Sequence, residues 1–405
     1  MSGPPRLLWV NHFAIPPGEG GGTRHFELGR ELARRGWEVT VASSDLNLHS
    51  RRYTRRAGPG DRSALEETID GVRFLWLWAA PYQRNDWRRA ANWLSFSRSL
   101  LRWGRRAPAF DVVIGSSPHL FAALAAQRLA ARRHVPFVME VRDLWPESLA
   151  AAGRAGGPGY RALGALARYL YARAARIVVL ARGSGEYLAG RGIDRARLAL
   201  VPNGVDVEAF GAGPERPPRD GVTAVYAGAH GPMNGLDTVL DAAALLRDEP
   251  RVRFLLVGDG PSKPALVAAA RARGLANVEF RDPVPKRGMP ALLAGADAGL
   301  MVLREAPLFS FGVSPNKLFD YLGAALPVVC NVPGEVAAML EESGAGEQAA
   351  DASAAALAQA LRRMLARGAD ERKHMGERGR EWVTREHRRE VLAERLDGVL
   401  RAVLP

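Results

Sequence analysis

The feature that most constrains this chain is a repeated alternation of short apolar runs with longer segments of helical spacing. In the first half, the apolar runs cover residues 7–10, 38–42, 112–114, 137–141 and 177–180. The alternation stops at residues 211–221, where glycine, proline and charged residues leave little to bury. It resumes with runs at residues 223–226, 254–257, 278–280, 299–303 and 327–330. This pattern is typical of parallel βαβ units, so the sequence predicts two α/β halves.

The predicted architecture is α/β, with two Rossmann-like, doubly wound parallel sheets that face each other across a cleft. A chain of 405 residues is long enough to bury a core in each half. We expect an N-terminal acceptor-binding domain at residues 1–210, a linker at 211–221 and a C-terminal nucleotide-sugar-binding domain at 222–384. Residues 385–405 are predicted to form a helix that packs back toward the N-terminal domain. Such sheets bind ligands beyond the carboxyl ends of their strands.

Composition limits the class of protein. The hydrophobic content of 47% and the charged content of 24% are those of a soluble globular chain, and no apolar run is long enough to cross a bilayer. With no secretory signal pattern, we expect a cytoplasmic protein. Cys330 is the single cysteine, which excludes an internal disulfide. The net charge of +13 favours an anionic partner. Because this charge is spread along the chain without a nucleic-acid-binding motif, we expect no nucleic-acid partner.

A glycine-rich turn follows the first apolar run. Residues 16–23 read Pro-Pro-Gly-Glu-Gly-Gly-Gly-Thr and precede a helical segment. Backbone N–H groups of Gly21 and Gly22, helped by the helix start, can approach a phosphate or a sugar without obstruction by side chains. Thr23 and Arg24 are placed on the acceptor side of the same turn. The alternative is a plain flexible turn.

Polar residues follow two later strands of the first half. His119 ends the sequence Ser-Ser-Pro-His, and it is a candidate for orienting a phosphate or a sugar hydroxyl. Asp143 is a candidate for taking a proton from an acceptor hydroxyl, and the neighbouring Arg142 for binding the acceptor. The alternatives are that Asp143 caps the following turn and that His119 is an ordinary satisfied histidine.

Two turns of the second half are suited to a diphosphate. Small residues follow its first strand, and two glycines and a lysine follow its second strand. The predicted donor-binding residues here are Gly228, Ala229, His230, Gly258, Gly260 and Lys263. Glycines permit close backbone approach, and the lysine at the start of the next helix can reach a phosphate. An ordinary Gly-Pro turn is the alternative for the second group.

Residues 314–329 carry the most specific pattern. They read Ser-Pro-Asn-Lys-Leu-Phe-Asp-Tyr-Leu-Gly-Ala-Ala-Leu-Pro-Val-Val. The predicted donor-binding residues are Ser314, Pro315, Asn316, Lys317 and Asp320. Asn316 and Asp320 lie one helical turn apart, with the Lys317 ammonium beside them for phosphates and the Asp320 carboxylate for ribose hydroxyls. A surface salt bridge between Lys317 and Asp320 is the alternative.

The segment from Asn316 to Val329 resembles the Pro-x-Lys-x-x-Glu-Tyr helix and Gly-x-Pro-Val strand of retaining glycosyltransferase family four, which has the GT-B fold. Similar likenesses occur in the Gly20–Thr23 loop, at Glu-Val-Arg-Asp-Leu-Trp-Pro-Glu, at Pro-Asn-Gly-Val-Asp and at Gly-Asp-Gly-Pro. Within the family, the chain looks closest to bacterial transferases that add amino or deoxy sugars to lipid-linked O-antigen or capsule precursors. The likeness covers nearly the whole chain.

The resemblance implies a UDP-sugar donor on the C-terminal domain and an acceptor on the N-terminal domain. Asp320 would then hold the ribose, the helix start at Lys317 would face the diphosphate, and Val284 would meet the base. The sequence also departs from the family pattern. Gly312 stands where the first of two glutamates is usual, and Ala229 or His230 and Asn234 stand where an arginine and a lysine are usual. Lys263 and Lys317 are therefore the expected cations for the diphosphate.

The resulting prediction is an enzyme, a metal-independent hexosyltransferase that retains anomeric configuration. No Asp-x-Asp triplet is present, so we expect no metal and no other cofactor, with protein cations and helix starts acting on the leaving group. The expected catalytic residues are Asp143, His119 and Lys317. The donor sugar is expected to be an N-acetylamino or deoxy hexose, and the acceptor a lipid-linked precursor of cell-surface polysaccharide. The alternatives are a UDP-sugar 2-epimerase of the same fold and a transferase for soluble acceptors.

Residues 84–106 combine aromatic residues at helical spacing with many arginines. A basic helix with aromatics can lie among the headgroups of an anionic membrane, which suits a lipid-linked acceptor. The alternative, which is compatible with the first, is a helix that packs its aromatics into the core. We therefore expect peripheral contact with the inner face of the plasma membrane.

Overall fold

The computed structural model describes residues 3–19, 22–48, 50–83, 86–151, 155–211, 220–306 and 312–405. The chain divides into two compact units. Unit 1 comprises Met1–Pro202 and Leu392–Pro405, and unit 2 comprises Asn203–Val391. Each is an α/β unit built on a mostly parallel sheet, as the alternation of apolar runs predicts.

Unit 1 contains an eight-stranded sheet in the order β3-β4-β2-β1-β5-β6-β7-β8. Its strands are β1 (Arg6–Val10), β2 (Glu38–Ser44), β3 (Leu65–Ile69), β4 (Val72–Leu77), β5 (Val112–Ser116), β6 (Phe137–Val141), β7 (Arg176–Val179) and β8 (Leu198–Leu200). Its helices are α1 (Arg24–Arg34), α2 (Trp87–Trp103), α3 (Leu120–Arg133), α4 (Glu147–Ala151), α5 (Gly157–Arg173) and α6 (Arg182–Gly190). Within it, β3 pairs antiparallel with β4, and the other pairs are parallel.

Unit 2 contains a six-stranded parallel sheet in the order β11-β10-β9-β12-β13-β14. Its strands are β9 (Val222–Ala227), β10 (Val252–Val257), β11 (Val278–Arg281), β12 (Ala298–Met301), β13 (Val328–Cys330) and β14 (Gly346–Gln348). Its helices are α7 (Leu236–Leu245), α8 (Lys263–Ala272), α9 (Met289–Ala294), α10 (Asn316–Gly323), α11 (Glu335–Ser343), α12 (Ala354–Ala366) and α13 (Gly368–His387).

The cores follow the alternation of side chains along buried strands. On β9, Ala224 and Tyr226 pack into a cluster on one face of the sheet, whereas Val225 and Ala227 pack into a cluster on the other. Both faces are therefore apolar and both are covered by helices, which is what a central parallel strand requires. In unit 1, α1 covers one sheet face with Phe26, Leu28 and Leu32.

The end of the chain consists of two helices, whereas the sequence predicts one over residues 385–404. Helix α13 ends at His387, Arg388 is extended, and α14 (Arg389–Arg401) follows. The last helix has an apolar face, because Leu392, Leu396 and Leu400 are buried in the unit 1 core beside α1. Residues from Leu392 onward therefore belong to unit 1.

The first boundary between the units falls earlier than the position 210 expected from the sequence. Asn203 exchanges two hydrogen bonds with Ser314, Val205 pairs with Arg388, and Phe210 is buried in a unit 2 core cluster. These contacts join residues 203–210 to unit 2. Most of the predicted linker at 211–221 lies outside the described residues.

Candidate active site

The carboxyl ends of β5 and β6 in unit 1 hold a buried ion-pair network. Glu140 accepts from Arg24 Nε at 2.9 Å through one carboxylate oxygen and from Ser116 Oγ at 2.6 Å through the other. His25 Nε2 lies 3.2 Å from the second oxygen. The Arg24 guanidinium also donates to the carbonyl oxygens of Val201 and Pro202. All of these side chains are buried, so the network ties α1, β5 and β6 together.

The charges of this network are matched internally. Burial alone would raise the pKa of Glu140, but Arg24 and the other groups around it hold that pKa well below its usual range. Burial lowers the pKa of His25 to about 4, so its imidazole is neutral at pH 7 and can donate to the carboxylate. Arg24, expected on the acceptor side, is only 1% exposed. It serves first as an internal ion-pair partner, and its contact with an acceptor stays a prediction.

His119 lies in a buried aromatic cluster just before α3, after the cis peptide between Ser117 and Pro118. Its Nδ1 atom is 3.4 Å from His12 Nδ1, and the rings of Phe96 and Trp93 pack around it. Burial lowers the pKa of both histidines, that of His12 to about 3, so both are neutral. Among the described residues, His119 Nε2 has no hydrogen-bond partner. Because this nitrogen is itself buried, the role of His119 toward a ligand stays a prediction.

A cavity of about 200 Å³ in unit 1 brings together three of the predicted residues, Gly22, Arg142 and Asp143. Ser117 Oγ accepts from the backbone N–H groups of Arg142 and Asp143, which fixes the turn after β6. The protein around the exposed Asp143 carboxyl raises its pKa, against the effect of the Arg142 guanidinium. Within the described part of the chain, Arg142 Nε is buried without a hydrogen-bond partner. The cavity thus combines a cation with a carboxylate of raised proton affinity.

In unit 2, the turns after β9 and β10 are held against each other by backbone hydrogen bonds. His230 N donates to Asp259 O at 2.8 Å, and Gly228 N donates to Val257 O at 3.0 Å. Glycine is required at two of these positions. A Cβ at Gly258 would lie 1.8 Å from the carbonyl oxygen of Gly228, and one at Gly260 would lie 2.6 Å from that of His230. The predicted glycines therefore build the loop, whether or not they also touch a ligand.

Lys317, in the first turn of α10, reaches this loop. Its Nζ donates to Tyr226 Oη at 2.8 Å and approaches Asn234 Oδ1 at 3.4 Å, and it lies 4.1 Å from the centre of the Tyr226 ring. A Cβ built on Gly228 would lie 3.5 Å from Lys317 Cε. The surrounding protein lowers the pKa of Lys317 to about 7. The predicted Lys317, Gly228 and Asn234 thus come together in one place.

The other lysines differ from Lys317 in having carboxylate partners. The Lys263 ammonium donates to the carbonyl oxygens of Gly258 and Arg281 and to Asp282. Lys286 pairs with both carboxylate oxygens of Asp320, at 2.5 and 2.6 Å. Lys373 lies 3.9 Å from Glu377. The chain has four lysines, all within the described ranges, and among described residues Lys317 alone has no carboxylate within 4.0 Å.

These contacts distinguish Lys263 from Lys317, the two lysines predicted to bind the diphosphate. Lys263 uses its three N–H groups to join the ends of β10 and β11, so its expected role toward a phosphate stays a prediction. Asp320 is paired with Lys286 instead of Lys317, so the alternative of a Lys317–Asp320 salt bridge is wrong. Lys286 escaped prediction because it follows a Pro-Val-Pro turn with no motif, 34 positions before its partner.

The remaining predicted residues lie in different surroundings. Ser314 is bonded to Asn203, and Thr23 donates to Glu27 at 2.6 Å, so both side chains have internal partners. Pro315 and Asn316 form the start of α10, while Ala229 and Val284 are exposed. His230 is buried, and neither ring nitrogen has a partner among the described residues. Gly21 lies outside the described residues.

Two absences apply only to the part of the chain that the structure describes. There, no cluster of three or more His, Cys, Asp or Glu side chains is arranged to hold a metal ion. In the same ranges, no helix has the length and apolar character needed to cross a membrane.

Comparisons with known proteins bear on both units. Residues 19–204 match the family described as a glycosyl transferase 4-like domain, and residues 221–367 match glycosyl transferases group 1. The fold is similar to that of sucrose-phosphate synthase from Thermosynechococcus elongatus, with a TM-score of 0.76, 16% identity and 98% of each chain covered. The chain has the GT-B fold and carries two glycosyltransferase domains.

Two further likenesses extend this assignment. The GT-B fold is shared with Anabaena Alr3699/HepE, solved in complex with UDP and glucose, with a TM-score of 0.68, 13% identity and coverage of 98% of this chain and 99% of that one. In sequence, the chain is 27% identical over 227 residues to the Escherichia coli protein WcaI, assigned to colanic acid biosynthesis as a glycosyl transferase. That alignment covers 52% of this chain and 55% of WcaI, so the chain spans about half the length of this relative.

Proposed function

We propose that this GT-B protein transfers a sugar from a UDP-sugar to a hydroxyl group of an acceptor, with retention of anomeric configuration. The observation that carries the proposal is Lys317. It is a cation without a carboxylate partner among described residues, next to a loop built from glycines at the strand ends of unit 2. Such a cation favours an anionic ligand, because the ligand supplies the missing counter-charge.

The diphosphate of the donor is assigned to the loop around Gly228 and to the start of α10. As the bond from the sugar to the phosphate breaks, negative charge grows on the departing UDP, and the Lys317 ammonium stabilises it. The Asp320 carboxylate, held by Lys286, is assigned to the ribose hydroxyls. UDP is proposed as the nucleotide because HepE, which has the same fold, was solved with UDP and glucose. The donor sugar is proposed to be an N-acetylamino or deoxy hexose.

The acceptor is assigned to the cavity lined by Gly22, Arg142 and Asp143. Asp143 receives the proton of the attacking hydroxyl or shares it with the departing phosphate, and the raised direction of its pKa is that of a better proton acceptor. His119, which follows the cavity-lining Pro118, is proposed to orient a sugar hydroxyl. We propose a lipid-linked saccharide of cell-surface polysaccharide, of the O-antigen or capsule kind, as the acceptor. The assignment of WcaI to colanic acid biosynthesis supports this class.

The reaction is proposed to run without a metal ion. Lys317 supplies the positive charge that a divalent cation would otherwise provide to the diphosphate. Activity that disappears with EDTA and returns with manganese would contradict this part of the proposal.

Thermal unfolding with a panel of nucleotides tests the donor assignment. UDP is expected to raise the melting temperature, and ADP, GDP and inorganic pyrophosphate are expected to raise it less, since they lack the uracil contacts. UDP-sugars are then compared with UDP to identify the sugar. A protein that responds to none of these nucleotides at millimolar concentration would overturn the proposal.

Product analysis separates the proposed transferase from the alternatives. A transferase releases free UDP in proportion to added acceptor. A new epimer of the sugar that forms without acceptor, either still joined to UDP or released together with it, would identify a UDP-sugar 2-epimerase instead. Comparison of a lipid-linked saccharide with the same saccharide free in solution decides whether the lipid is required.

A further inference from the structure

One face of unit 1 concentrates the positive charge that is spread along the sequence. Helices α2, α3 and α5 contain no aspartate or glutamate. They and the turn after α2 present nine exposed arginines that have no ion-pair partner among the described residues: Arg98, Arg102, Arg105, Arg106, Arg128, Arg132, Arg161, Arg168 and Arg173. We refer to these nine residues as the arginine face.

The three helices form one continuous surface. Arg133 of α3 donates to the carbonyl oxygens of Gly104 and Ala107 beyond the end of α2, and a Cβ on Gly104 would lie 2.1 Å from Leu129 of α3. Tyr169 of α5 donates to Gln127 of α3. With helices spaced about 10 Å apart and a 17-residue helix about 25 Å long, the surface measures roughly 25 by 20 Å.

The two acidic residues that flank α2 in the sequence have other partners. Asp86, just before α2, lies 3.5 Å from Arg88, and Asp111 is bonded to Arg6. Neither forms an ion pair with the arginine face. Since the net charge of the whole chain is +13, a large share of it lies on this one surface. The sequence predicts only the part of this surface within residues 84–106, because the arginines of α3 and α5 join it through the packing of the three helices.

Apolar side chains extend the arginine face along α2. Trp87 is 72% exposed and Leu94 is 54% exposed, and they lie on the same helical stripe as Arg98 and Arg102. Two other aromatics of this helix point inward, since Phe96 is buried and Trp93 packs on His119. Residues 84–106 are predicted to contact a membrane or to pack aromatics into the core. The exposed side of α2 suits the first role, and its buried side has the second.

We infer that the arginine face, with Trp87 and Leu94, is a docking surface for an anionic lipid bilayer. Arginines attract anionic headgroups, and an exposed tryptophan beside them inserts at the level of the headgroups. A nucleic acid would engage the arginines and could stack a base on Trp87, but it gains nothing from the exposed Leu94, which a bilayer accommodates. The choice of a membrane also rests on the lipid-linked acceptor of the proposed function.

Vesicle flotation of the full chain tests this inference. Binding is expected to vesicles with about one third phosphatidylglycerol in phosphatidylcholine, to be lost with phosphatidylcholine alone, and to weaken at about 1 M salt. Arg98→Glu with Arg102→Glu is expected to reduce the vesicle-bound to free ratio at least thirtyfold, by the order of magnitude expected for charges at a lipid surface. Trp87→Ser is expected to reduce it several-fold while leaving the salt dependence.

A matched control has the same change in net charge. Arg253→Glu with Arg271→Glu replaces two exposed arginines of unit 2, and it is expected to bind vesicles almost as well as the original chain. Equal losses in both double variants would overturn the inference, because they would show an effect of net charge alone. Tighter binding to a structured RNA than to anionic vesicles, insensitive to Trp87→Ser, would overturn it in favour of a nucleic acid.

Measuring the rise in melting temperature with UDP distinguishes a failure of the docking surface from a failure of the proposed function. The arginine-face variants are expected to keep the original melting temperature and its rise with UDP, which shows that they are folded. Vesicle binding that is absent while the UDP response is present contradicts only the docking surface. Vesicle binding that is present while the UDP response is absent contradicts only the proposed donor.

Discussion

Arg24 in unit 1 and Lys317 in unit 2 are both cations that follow strands of a parallel sheet, but among the described residues only Arg24 has a carboxylate partner. Arg24 is buried against Glu140 and two carbonyl oxygens. Lys317 contacts a tyrosine hydroxyl, an aromatic ring and, at longer range, an amide oxygen. The charge of Arg24 is therefore neutralised within the protein, whereas the charge of Lys317 would be neutralised by a bound anion.

This difference separates two roles that look alike in a sequence. A matched buried ion pair holds parts of the fold together, although both charges lose their hydration on burial. Removing one partner leaves the other charge buried without compensation, which destabilises the fold. A cation without a counter-charge contributes little to the stability of the fold. It forms a favourable charged contact only when an anionic ligand binds. The predictions below test whether the two cations differ in this way, starting with the largest expected effect.

Glu140→Ala is expected to lower the free energy of unfolding by about 3–5 kcal/mol, because it leaves the Arg24 guanidinium buried without its counter-charge. Urea unfolding followed by circular dichroism measures the loss. The control is Glu66→Ala, at an exposed position of β3, for which a change within about 0.5 kcal/mol is expected. A loss below about 1 kcal/mol for Glu140→Ala would show that Arg24 does not depend on this carboxylate.

Lys317→Met is expected to weaken ligand binding without destabilising the fold, in contrast to Glu140→Ala. Loss of a charged hydrogen-bond donor to the diphosphate should weaken UDP binding by about 1.5–3 kcal/mol, or roughly 10- to 150-fold. The free energy of unfolding should stay the same or rise, because an unmatched cation is replaced by an apolar side chain of similar length. Titration calorimetry with UDP and urea unfolding give the two values.

The matched control for that variant is Lys373→Met, which removes an exposed lysine on α13 that pairs only loosely with Glu377. It should leave UDP affinity unchanged. If Lys317→Met destabilises the fold as much as it weakens UDP binding, Lys317 is a structural residue like Arg24, and the contrast between the two units fails.

The sequence predicts the architecture well because hydrophobic alternation is a local signal. Fold class and both sheets follow from apolar runs of the right length, and the comparisons confirm a GT-B fold. The position where one unit ends is not a local signal. Residues 203–210 belong to unit 2 because Asn203 bonds to Ser314 and Phe210 is buried there, and neither contact leaves a pattern in the sequence.

The residues of the candidate site are predictable where a functional residue type occurs at a recognisable position of the backbone. Lys317 and Gly228 were identified because a lysine at a helix start and a glycine after a strand each have a local signature. The pairing of Lys286 with Asp320 and the enclosure of Arg24 by Glu140 depend on side chains 34 and 116 positions apart. Spacing along a chain carries no information about such pairs, so the internal partners of Lys263 and Arg24 emerge only from the structure.

Asp143→Asn is expected to slow turnover about tenfold, or about 1.4 kcal/mol, without changing UDP affinity. The loss should be moderate because the departing phosphate also accepts the proton in the proposed front-face reaction. Steady-state rates of UDP release and calorimetry with UDP measure the two effects. Unchanged turnover would remove Asp143 from the reaction, and a parallel loss of UDP affinity would place it on the donor side instead of beside the acceptor.

The smallest expected effect is a pH dependence that Lys317 should show and Arg24 should not. The pKa of Lys317 is about 7 in the folded chain and about 10.4 in an unfolded one. Between these values the unfolded chain binds more protons, so the free energy of unfolding should rise with pH. UDP favours the charged ammonium, so binding should take up a proton above pH 7, and UDP affinity should fall by at most about tenfold per pH unit. The second phosphate ionisation lies near pH 6, so this window reports on the lysine.

Calorimetry with UDP in two buffers of different ionisation enthalpy, at about pH 8, measures the proton uptake directly. Lys317→Arg is the control, because a guanidinium stays charged throughout this range and should bind UDP with a flat profile. The same slope in both proteins would mean that another group titrates, and the lowered pKa of Lys317 would then have no part in donor binding. A slope confined to the lysine protein would show that UDP binding makes Lys317 take up a proton, as expected for a lysine that has no carboxylate partner among the described residues.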